Sequence, residues 1–365
     1  MVRILKQLNR LSYFFNIKRC RRLRTSPNSI LFPVVWVTNR CNLRCRMCNQ
    51  WKTKEEDSTR ELSTKEWFSF VDSARRMQAA VIVITGGEPL LREDLFDIIK
   101  YIRNNKIACH LCTNGTLLNG FNVRRLKDSG VNSVSVSLDS DCAQIHNKIR
   151  GTDCFDAVVK GIKLLRTFAP GLKIGINYVV TRINFRNLDR MFSFAQLLKV
   201  DQIKFDRVHT NLMHRGMSIS NSAELIFNKD DLVSLKHEVG KLINVASKTK
   251  LLTNSRTFLE GMSVLSEAQA SRLDCYAGYI SCAVDAFGRV SPCDNFDGEE
   301  NLRDKPLEKI WQSPSFRRLC QKVHNCDYLC WDTTHTELNI RCSGRYFVKE
   351  LCQIIKETQF YLLKE

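Results

Sequence analysis

The apolar, β-branched run Leu31-Phe-Pro-Val-Val-Trp-Val-Thr38 is followed, after two residues, by Cys41-Asn-Leu-Arg-Cys45-Arg-Met-Cys48. The run reads as a buried strand. The cysteines sit on the loop after it with the spacing C-x3-C-x2-C. Iron–sulfur clusters are usually held by four cysteine thiolates. Three thiolates hold three corners of a cubane and leave one iron open, able to bind a small molecule and pass it an electron. The competing readings are a zinc site or buried structural cysteines. Structural zinc takes four protein ligands, commonly in two knuckle pairs, and no cysteine or histidine completes this trio nearby in sequence. The ligand count favours an open, reactive cluster.

Beyond residue 30, strand-like and helix-like segments alternate. Ala80–Thr85, Ile107–Cys112, Val131–Leu138, Leu172–Val180 and Gln202–Phe205 read as further strands. Helices are expected over Ser63–Ala79, where Ser63 and Glu66 make a capping box, and over Glu93–Asn104. More follow at Asn122–Ser129, closed by Gly130, at Phe155–Phe168 and at Leu188–Leu198. Such alternation argues for a parallel sheet with helices outside. Six strand–helix steps fall short of the eight of a closed barrel. The expected fold is therefore α/β: a partial (β/α)6 TIM-like barrel, followed by a small Cys-rich iron–sulfur domain. The expected units are a basic N-terminal arm (1–30), the barrel (31–210), a helical bridge (211–270) with a long helix Lys229–Ser247, the Cys-rich domain (271–345), and a C-terminal helix (346–365, its core Arg345–Thr358). In barrels of this kind ligands gather at the C-terminal strand ends, which is where the cysteine trio lies.

Composition narrows the class. The 365 residues are 44% hydrophobic and 26% charged, which describes a globular chain. No apolar run approaches the ~18 residues of a membrane span. Sixteen cysteines in short-spaced clusters favour metal binding in a reducing, cytoplasmic setting over disulfides. The net charge of +18 is uneven: no acidic residue precedes Glu55. Ile4, Leu8, Leu11, Phe14 and Phe15 share one helical face of the basic arm. That arm reads either as an amphipathic helix for peripheral contact with an acidic membrane or for nucleic acid, or as a solvated arm packing on the main domain.

Other strand ends carry polar residues in step with the trio. Thr85-Gly86-Gly87-Glu88-Pro89 follows the second strand. Its glycines would let a ligand approach the backbone, and its carboxylate and carbonyls could hold a cationic amino group. The alternative is an ordinary tight turn. Thr113-Asn114-Gly115 ends the third strand. Ser135, Ser137 and Asp139 alternate along the fourth, and Asn177 and Thr181 lie on the fifth. Short polar side chains around one mouth suit the hydroxyls of a ribose, although Asn, Ser and Asp also form turns. His146 and Arg150 are expected to order the loop after the fourth strand. Cys109, Cys112, Cys142 and Cys154 read as core or surface thiols.

The trio, the Gly86-Gly87-Glu88-Pro89 turn, the Thr113-Asn114-Gly115 turn and the Ser137-Leu138-Asp139 strand end together resemble the radical S-adenosylmethionine (radical SAM) enzymes. The resemblance spans about residues 32–210 and has these motifs in order on the expected strands. It implies a [4Fe–4S] cluster on Cys41, Cys45 and Cys48, with S-adenosyl-L-methionine on the open iron. The Gly86-Gly87-Glu88-Pro89 turn would hold the methionyl amino group. Asn114, Ser137, Asp139 and Asn177 would contact ribose and carboxylate. An electron donor of flavodoxin or ferredoxin type is implied. Cleavage of the sulfonium would give a 5′-deoxyadenosyl radical that takes a hydrogen from substrate, the protein supplying placement and exclusion of side reactions.

Seven cysteines fall within Cys275–Cys342. Cys275-x12-Gly288-x4-Cys293 reads as a turn joining two thiolates, and Cys320-x5-Cys326-x3-Cys330 supplies more. A zinc fold or free buried thiols could use the same residues, and the unit is expected to be held by metal rather than by a large core. The pattern resembles the SPASM and Twitch extensions of radical SAM enzymes, which carry auxiliary clusters. It departs from the full SPASM pattern at Arg317, where a cysteine would stand. The resemblance thus implies one auxiliary [4Fe–4S] cluster on Cys275, Cys293, Cys326 and Cys330, with Cys282 as the substitute ligand. A second, incomplete cluster would use Cys320, Cys326 and Cys342. Asp294, directly after Cys293, is a candidate proton acceptor, or a turn residue.

The leading function is radical modification of a peptide or protein. The alternative is oxidation or rearrangement of a small metabolite such as a sugar, tetrapyrrole or antibiotic precursor. Modification of RNA lacks a recognised binding module. A non-catalytic iron–sulfur electron carrier would leave the nucleoside-site residues without a role.

Overall fold

The computed structural model describes residues 13, 15–52, 58–209, 223–263, 273–326, 330–347 and 350–361. Six parallel strands form its centre: β1 (Phe32–Trp36), β2 (Val81–Thr85), β3 (Ala108–Thr113), β4 (Ser133–Ser137), β5 (Lys173–Val180) and β6 (Gln202–Arg207). Each neighbour in sequence is a neighbour in the sheet. Helices Thr64–Arg76, Leu95–Asn104, Gly120–Ser129, Phe155–Phe168 and Leu188–Leu197 connect them. Local chemistry sets these boundaries. Ser63 and Glu66 form the reciprocal capping box. Asn119 accepts from the Asn122 amide at 2.9 Å, and Gly130 ends that helix at φ 76°.

Two segments depart from expectation. The region after β4 contains a further helix, Ala143–Arg150, closed by left-handed Gly151 at φ 68°. His146 and Arg150 therefore lie on a helix and not on a loop, and both are buried. The C-terminal helix is divided into Gly344–Phe347 and Leu351–Tyr361. The long helix of the bridge is present as Lys229–Ala246, while residues 211–222 and 264–270 of that bridge lie outside the described residues.

The Cys-rich unit continues the barrel sheet. Strand β7 (Ser281–Val284) pairs parallel with the free edge of β1, from Phe32↔Ser281 to Val35↔Val284. Strands β8 (Arg289–Ser291) and β9 (Glu300–Asn301) add antiparallel, giving nine strands in the order β6-β5-β4-β3-β2-β1-β7-β8-β9. Val284, Val290, Ile310, Trp311, Phe316 and Trp331 share one apolar core with barrel residues such as Ile82, Leu111 and Val134. This corrects the expectation of a unit without a substantial core: pairing β7 onto β1 satisfies an edge and merges the two apolar faces.

The described part of the N-terminal arm, helix 15–23 and the residues after it, packs on this unit. Ile17 is fully buried, and Arg21 donates to the Cys275 carbonyl at 2.8 Å and pairs with Asp274 at 3.0 Å. Trp311 Nε1 donates to the Pro27 carbonyl at 2.7 Å. Phe15 is exposed, while Ile4, Leu8, Leu11 and Phe14 of the expected apolar face lie outside the described residues. Among the described residues, no helix is long and apolar enough to cross a membrane.

Helix Leu351–Tyr361 lies against the sheet strands β3 to β6. Glu357 pairs with buried Lys204, Tyr361 donates to Gln202 Oε1 at 3.2 Å, and the Tyr361 ring stands 5.0 Å edge-on from His110. Ser135 is 2% exposed and lies beside Gly175, where an added Cβ would come within 2.8 Å of Ser135 Oγ and 3.4 Å of Phe360. Ser135 is thus buried beside Gly175, whereas its place in the Ser-Val-Ser alternation suggested a position at a ligand mouth.

His110 bonds Ser133 Oγ at 2.7 Å, and burial lowers its pKa to about 3. The unfolded ring takes a proton near pH 6.5 that the folded ring refuses until far lower, so stability falls as pH drops below that value. Between about pH 6.5 and 5 the expected loss from this group is about 2 kcal/mol. Urea unfolding of wild type and His110→Gln at both pH values should show a shallower decline in the variant.

Candidate functional site

The loop after β1 is pinned before its cysteines begin. Thr38 Oγ1 and the Asn39 amide both donate to Glu61 Oε1 at 2.8 Å. Cys41 and Cys48 are half-buried, and Cys45 is buried against Leu43 and Cys154. Each of the three sulfurs accepts one N–H: from Leu43 at 3.5 Å to Cys41, from Gln50 at 3.3 Å to Cys48, and from Arg150 Nη1 at 3.8 Å to Cys45. Burial raises the pKa of Cys48 to about 11, against the Gln50 N–H, and Cys45 and Cys41 raise it further. Cys41 is raised by burial as well, with Cys45 and Glu88 adding to it. The three sulfurs lie on one loop, and each faces an N–H donor. Among the described residues, no group of three or more His, Cys, Asp or Glu is placed around a single metal ion. A cubane gives each thiolate its own iron, and three thiolates on one loop suit three of its corners.

The Gly86-Gly87 turn packs on this loop backbone to backbone. The Gly87 amide donates to the Thr38 carbonyl at 2.8 Å, and the Glu88 amide to the Arg40 carbonyl at 2.7 Å. A Cβ on Gly87 would lie 2.2 Å from the Arg40 oxygen, and one on Gly86 2.5 Å from the Thr38 oxygen. The glycines thus admit the cysteine loop, where the sequence suggested approach by a ligand. The Glu88 side chain also has another place. It is fully buried and accepts from Leu90 N at 3.0 Å, Thr113 Oγ1 at 2.7 Å and Asn114 N at 2.7 Å. Its carboxylate ties the turn after β2, which Pro89 continues as a short 3-10 helix, to the turn after β3, so it is not presented to a ligand's amino group.

Asn114 bridges back to the cysteine loop, donating to Asn42 Oδ1 at 2.9 Å. Ser137, the last residue of β4, stands in register beside Asn177 within β5, both half-buried. Asp139, expected beside them as a ribose contact, is fully buried. Its Oδ2 accepts from Arg150 Nε at 2.6 Å and its Oδ1 from Val179 N at 2.9 Å. Its acceptors serve the protein, because a carboxylate with no exposure must be paired.

A cavity of about 210 Å³ opens between the barrel strands and the Cys-rich unit. Val34, Trp36, Val83, Thr85 and Cys112 line the barrel side, while Cys293, Asp294, Asn295 and Cys330 line the other. His209, Asp332 and His335 also line it, and sequence reasoning missed all three. Asp332 Oδ1 accepts from the amides of Thr334 at 2.7 Å and His335 at 2.6 Å, and Asp332 Oδ2 lies 3.1 Å from His335 Nδ1. Burial opposes charge on His335, but the Asp332 carboxylate outweighs it and holds the imidazole pKa up at about 9. The available signal was Asp332-x-x-His335, which begins two residues after Cys330, the last cysteine of the C-x5-C-x3-C run.

In the Cys-rich unit Cys275, Cys293, Cys326 and Cys330 share one neighbourhood. Burial raises Cys275 to about 11, with Cys326 adding to it, and raises Cys293, with Asp294, Cys275 and Cys330 adding. Asn295 Nδ2 donates to Cys330 Sγ at 3.3 Å. Cys282 lies on β7 beside Cys320, whose thiol faces the Gly278 carbonyl at 3.6 Å. Cys342 is buried near Cys275. Arg317 donates to the Gln312 carbonyl at 2.9 Å, away from any thiol role. None of the fifteen described cysteines is in a disulfide.

The sequence matches the radical SAM superfamily over residues 35–195 and the SPASM iron–sulfur cluster-binding domain over residues 275–333. Mycofactocin maturase MftC of Mycobacterium tuberculosis is 30% identical across 78% of this chain and 71% of its own length. AdoMet-dependent heme synthase of Oleidesulfovibrio alaskensis is 26% identical across 85% of this chain and 81% of its own. Among solved structures, Streptococcus suis SuiB bound to its precursor peptide SuiA superposes with a TM-score of 0.66 at 18% identity, covering 85% of this chain and 70% of SuiB. At that identity the likeness speaks for the fold.

Proposed function

This chain belongs to the radical SAM family and carries a SPASM extension, and we propose that it uses radical chemistry to modify a peptide or protein substrate. Cys41, Cys45 and Cys48 would hold a [4Fe–4S] cluster, which together with S-adenosylmethionine would supply the electron and the radical for hydrogen abstraction. Asn114, Ser137 and Asn177 would border the cofactor, while Gly86 and Gly87 seat the cysteine loop and Glu88 ties the turns after β2 and β3. Cys275, Cys293, Cys326 and Cys330 hold one auxiliary cluster, with Cys282 adjacent. The electron comes from an outside donor of flavodoxin or ferredoxin type.

The observation that supports a peptide is the likeness to MftC, a maturase, at 30% identity across 78% of this chain. A second reading, a tetrapyrrole or other small metabolite, is favoured by the likeness to heme synthases. Reduced, iron-loaded enzyme should be incubated with S-adenosylmethionine and either a peptide library or an iron porphyrin, then analysed by mass spectrometry. A changed peptide mass with stimulated 5′-deoxyadenosine release supports the proposal. Turnover of porphyrin with every peptide inert sinks it.

Asp294 lines the cavity beside an auxiliary ligand and accepts a substrate proton in this reading. Asp294→Asn is expected to lower product formation by about 10²–10⁴-fold, the usual worth of a positioned base. 5′-Deoxyadenosine release should persist, since the base acts after hydrogen is taken. Separate quantification of product and 5′-deoxyadenosine checks this.

A further inference from the structure

The segment His146–Gly151 forms a buttress under the cysteine loop. The Arg46 amide donates to the Ile149 carbonyl at 2.9 Å, and Gly151 lies so close that a Cβ there would meet the Arg44 oxygen at 2.4 Å. Arg150 projects from this buttress and is 7% exposed. Its Nε is fixed by Asp139 Oδ2 at 2.6 Å, and its Nη1 reaches Cys45 Sγ at 3.8 Å. Asp139 is itself held from other elements. Val179 N donates to its side chain, Asn184 Nδ2 donates to its carbonyl at 2.9 Å, and its amide donates to His146 Nδ1 at 3.1 Å. The far nitrogen of that ring lies 3.5 Å from Cys154 Sγ. Asp139, held by β5 and by the buried histidine, thus gives the guanidinium a fixed anchor at Nε.

We propose that Arg150, through its fixed charge beside Cys45, raises the reduction potential of the cluster at Cys41, Cys45 and Cys48. The argument is electrostatic. Cluster potentials depend on net charge, hydrogen bonds to sulfur and solvent exposure. Arginine stays charged at any pH the protein meets. Buried charges are only weakly screened by salt. A cation beside one ligating sulfur stabilises the reduced cluster, which carries one more negative charge, more than the oxidised one. Asp139 offsets part of this field, but it binds Nε, whereas the nitrogen facing the sulfur is Nη1. A packing tie alone would hold the loop without moving the potential.

The inference rests on the trio holding a cluster, and the experiment separates the two. Full-length protein is reconstituted anaerobically, and iron content and the potential-dependent EPR signal of the reduced cluster are measured. The relevant signal is the one that changes on adding S-adenosylmethionine. If Cys45→Ala leaves that signal intact, the reading of the trio fails. With that control passed, Arg150→Gln is expected to keep the iron and titrate at a more negative potential, with Arg150→Lys between it and wild type. An unmoved potential in iron-loaded Arg150→Gln overturns the proposal. Should Arg150→Gln not load iron, Arg150→Lys decides. Loading with a potential close to wild type supports the charge, and failure to load makes Arg150 a packing residue and overturns the proposal.

Discussion

Alanine in place of Cys45 is expected to abolish 5′-deoxyadenosine formation, bringing it to the level of an enzyme-free control. Cys41→Ala and Cys48→Ala should behave alike. The three sulfurs lie on one loop, each with its own N–H donor, and a cubane already short of one protein ligand has no spare thiolate there. Cys154 lies near Cys45, but its sulfur faces His146 at 3.5 Å. The auxiliary unit has its own sulfurs, so iron content should fall only by the share belonging to the trio. The measurement is iron and sulfide content with chromatographic quantification of 5′-deoxyadenosine. Far-UV circular dichroism should be unchanged, because the loop is pinned independently through Glu61 and Gly87. Wild-type rates of cofactor cleavage in any of the three variants would remove the basis of the proposed chemistry.

Asp139→Ala carries the largest expected cost in stability. Asp139 is fully buried and Arg150 nearly so, with a 2.6 Å bond between them. Removing one partner of a buried ion pair leaves an uncompensated charge and typically costs about 3–5 kcal/mol. The change also leaves Val179 N without its side-chain acceptor. Asp139→Asn keeps an acceptor for that amide and should cost less. Urea unfolding of cluster-free protein isolates the effect from metal binding. A loss below about 1 kcal/mol in Asp139→Ala would mean that the pair is no stronger than an exposed salt bridge.

Much of the barrel was legible because its signals are local. A capping box, a left-handed glycine and a continuous apolar run each act within a few residues, and Ser63, Gly130 and Val81–Thr85 behave as their neighbours dictate. The helix Ala143–Arg150 was harder to see. It is short, no side chain caps its start, and two of its buried residues are the polar His146 and Arg150. The continuity of the Cys-rich unit with the barrel was also hidden, because β1 and β7 pair across more than two hundred residues of chain and no local pattern marks the partner of an edge.

The cysteine spacing and the β/α alternation, by themselves, pointed to an open iron–sulfur centre and an α/β fold, since these follow from ligand number and chain periodicity; the radical chemistry followed from the family resemblance. Tertiary structure alone decided which polar groups face a ligand. Glu88 and Asp139 have the right identity and lie at the right strand ends, yet with no solvent to share they satisfy Asn114 and Arg150. His209, Asp294, Asp332 and His335 meet at one cavity only because the Cys-rich unit docks against the barrel. Burial, which no single stretch of chain can express, makes that selection: a polar atom removed from water takes whichever partner the fold brings within reach.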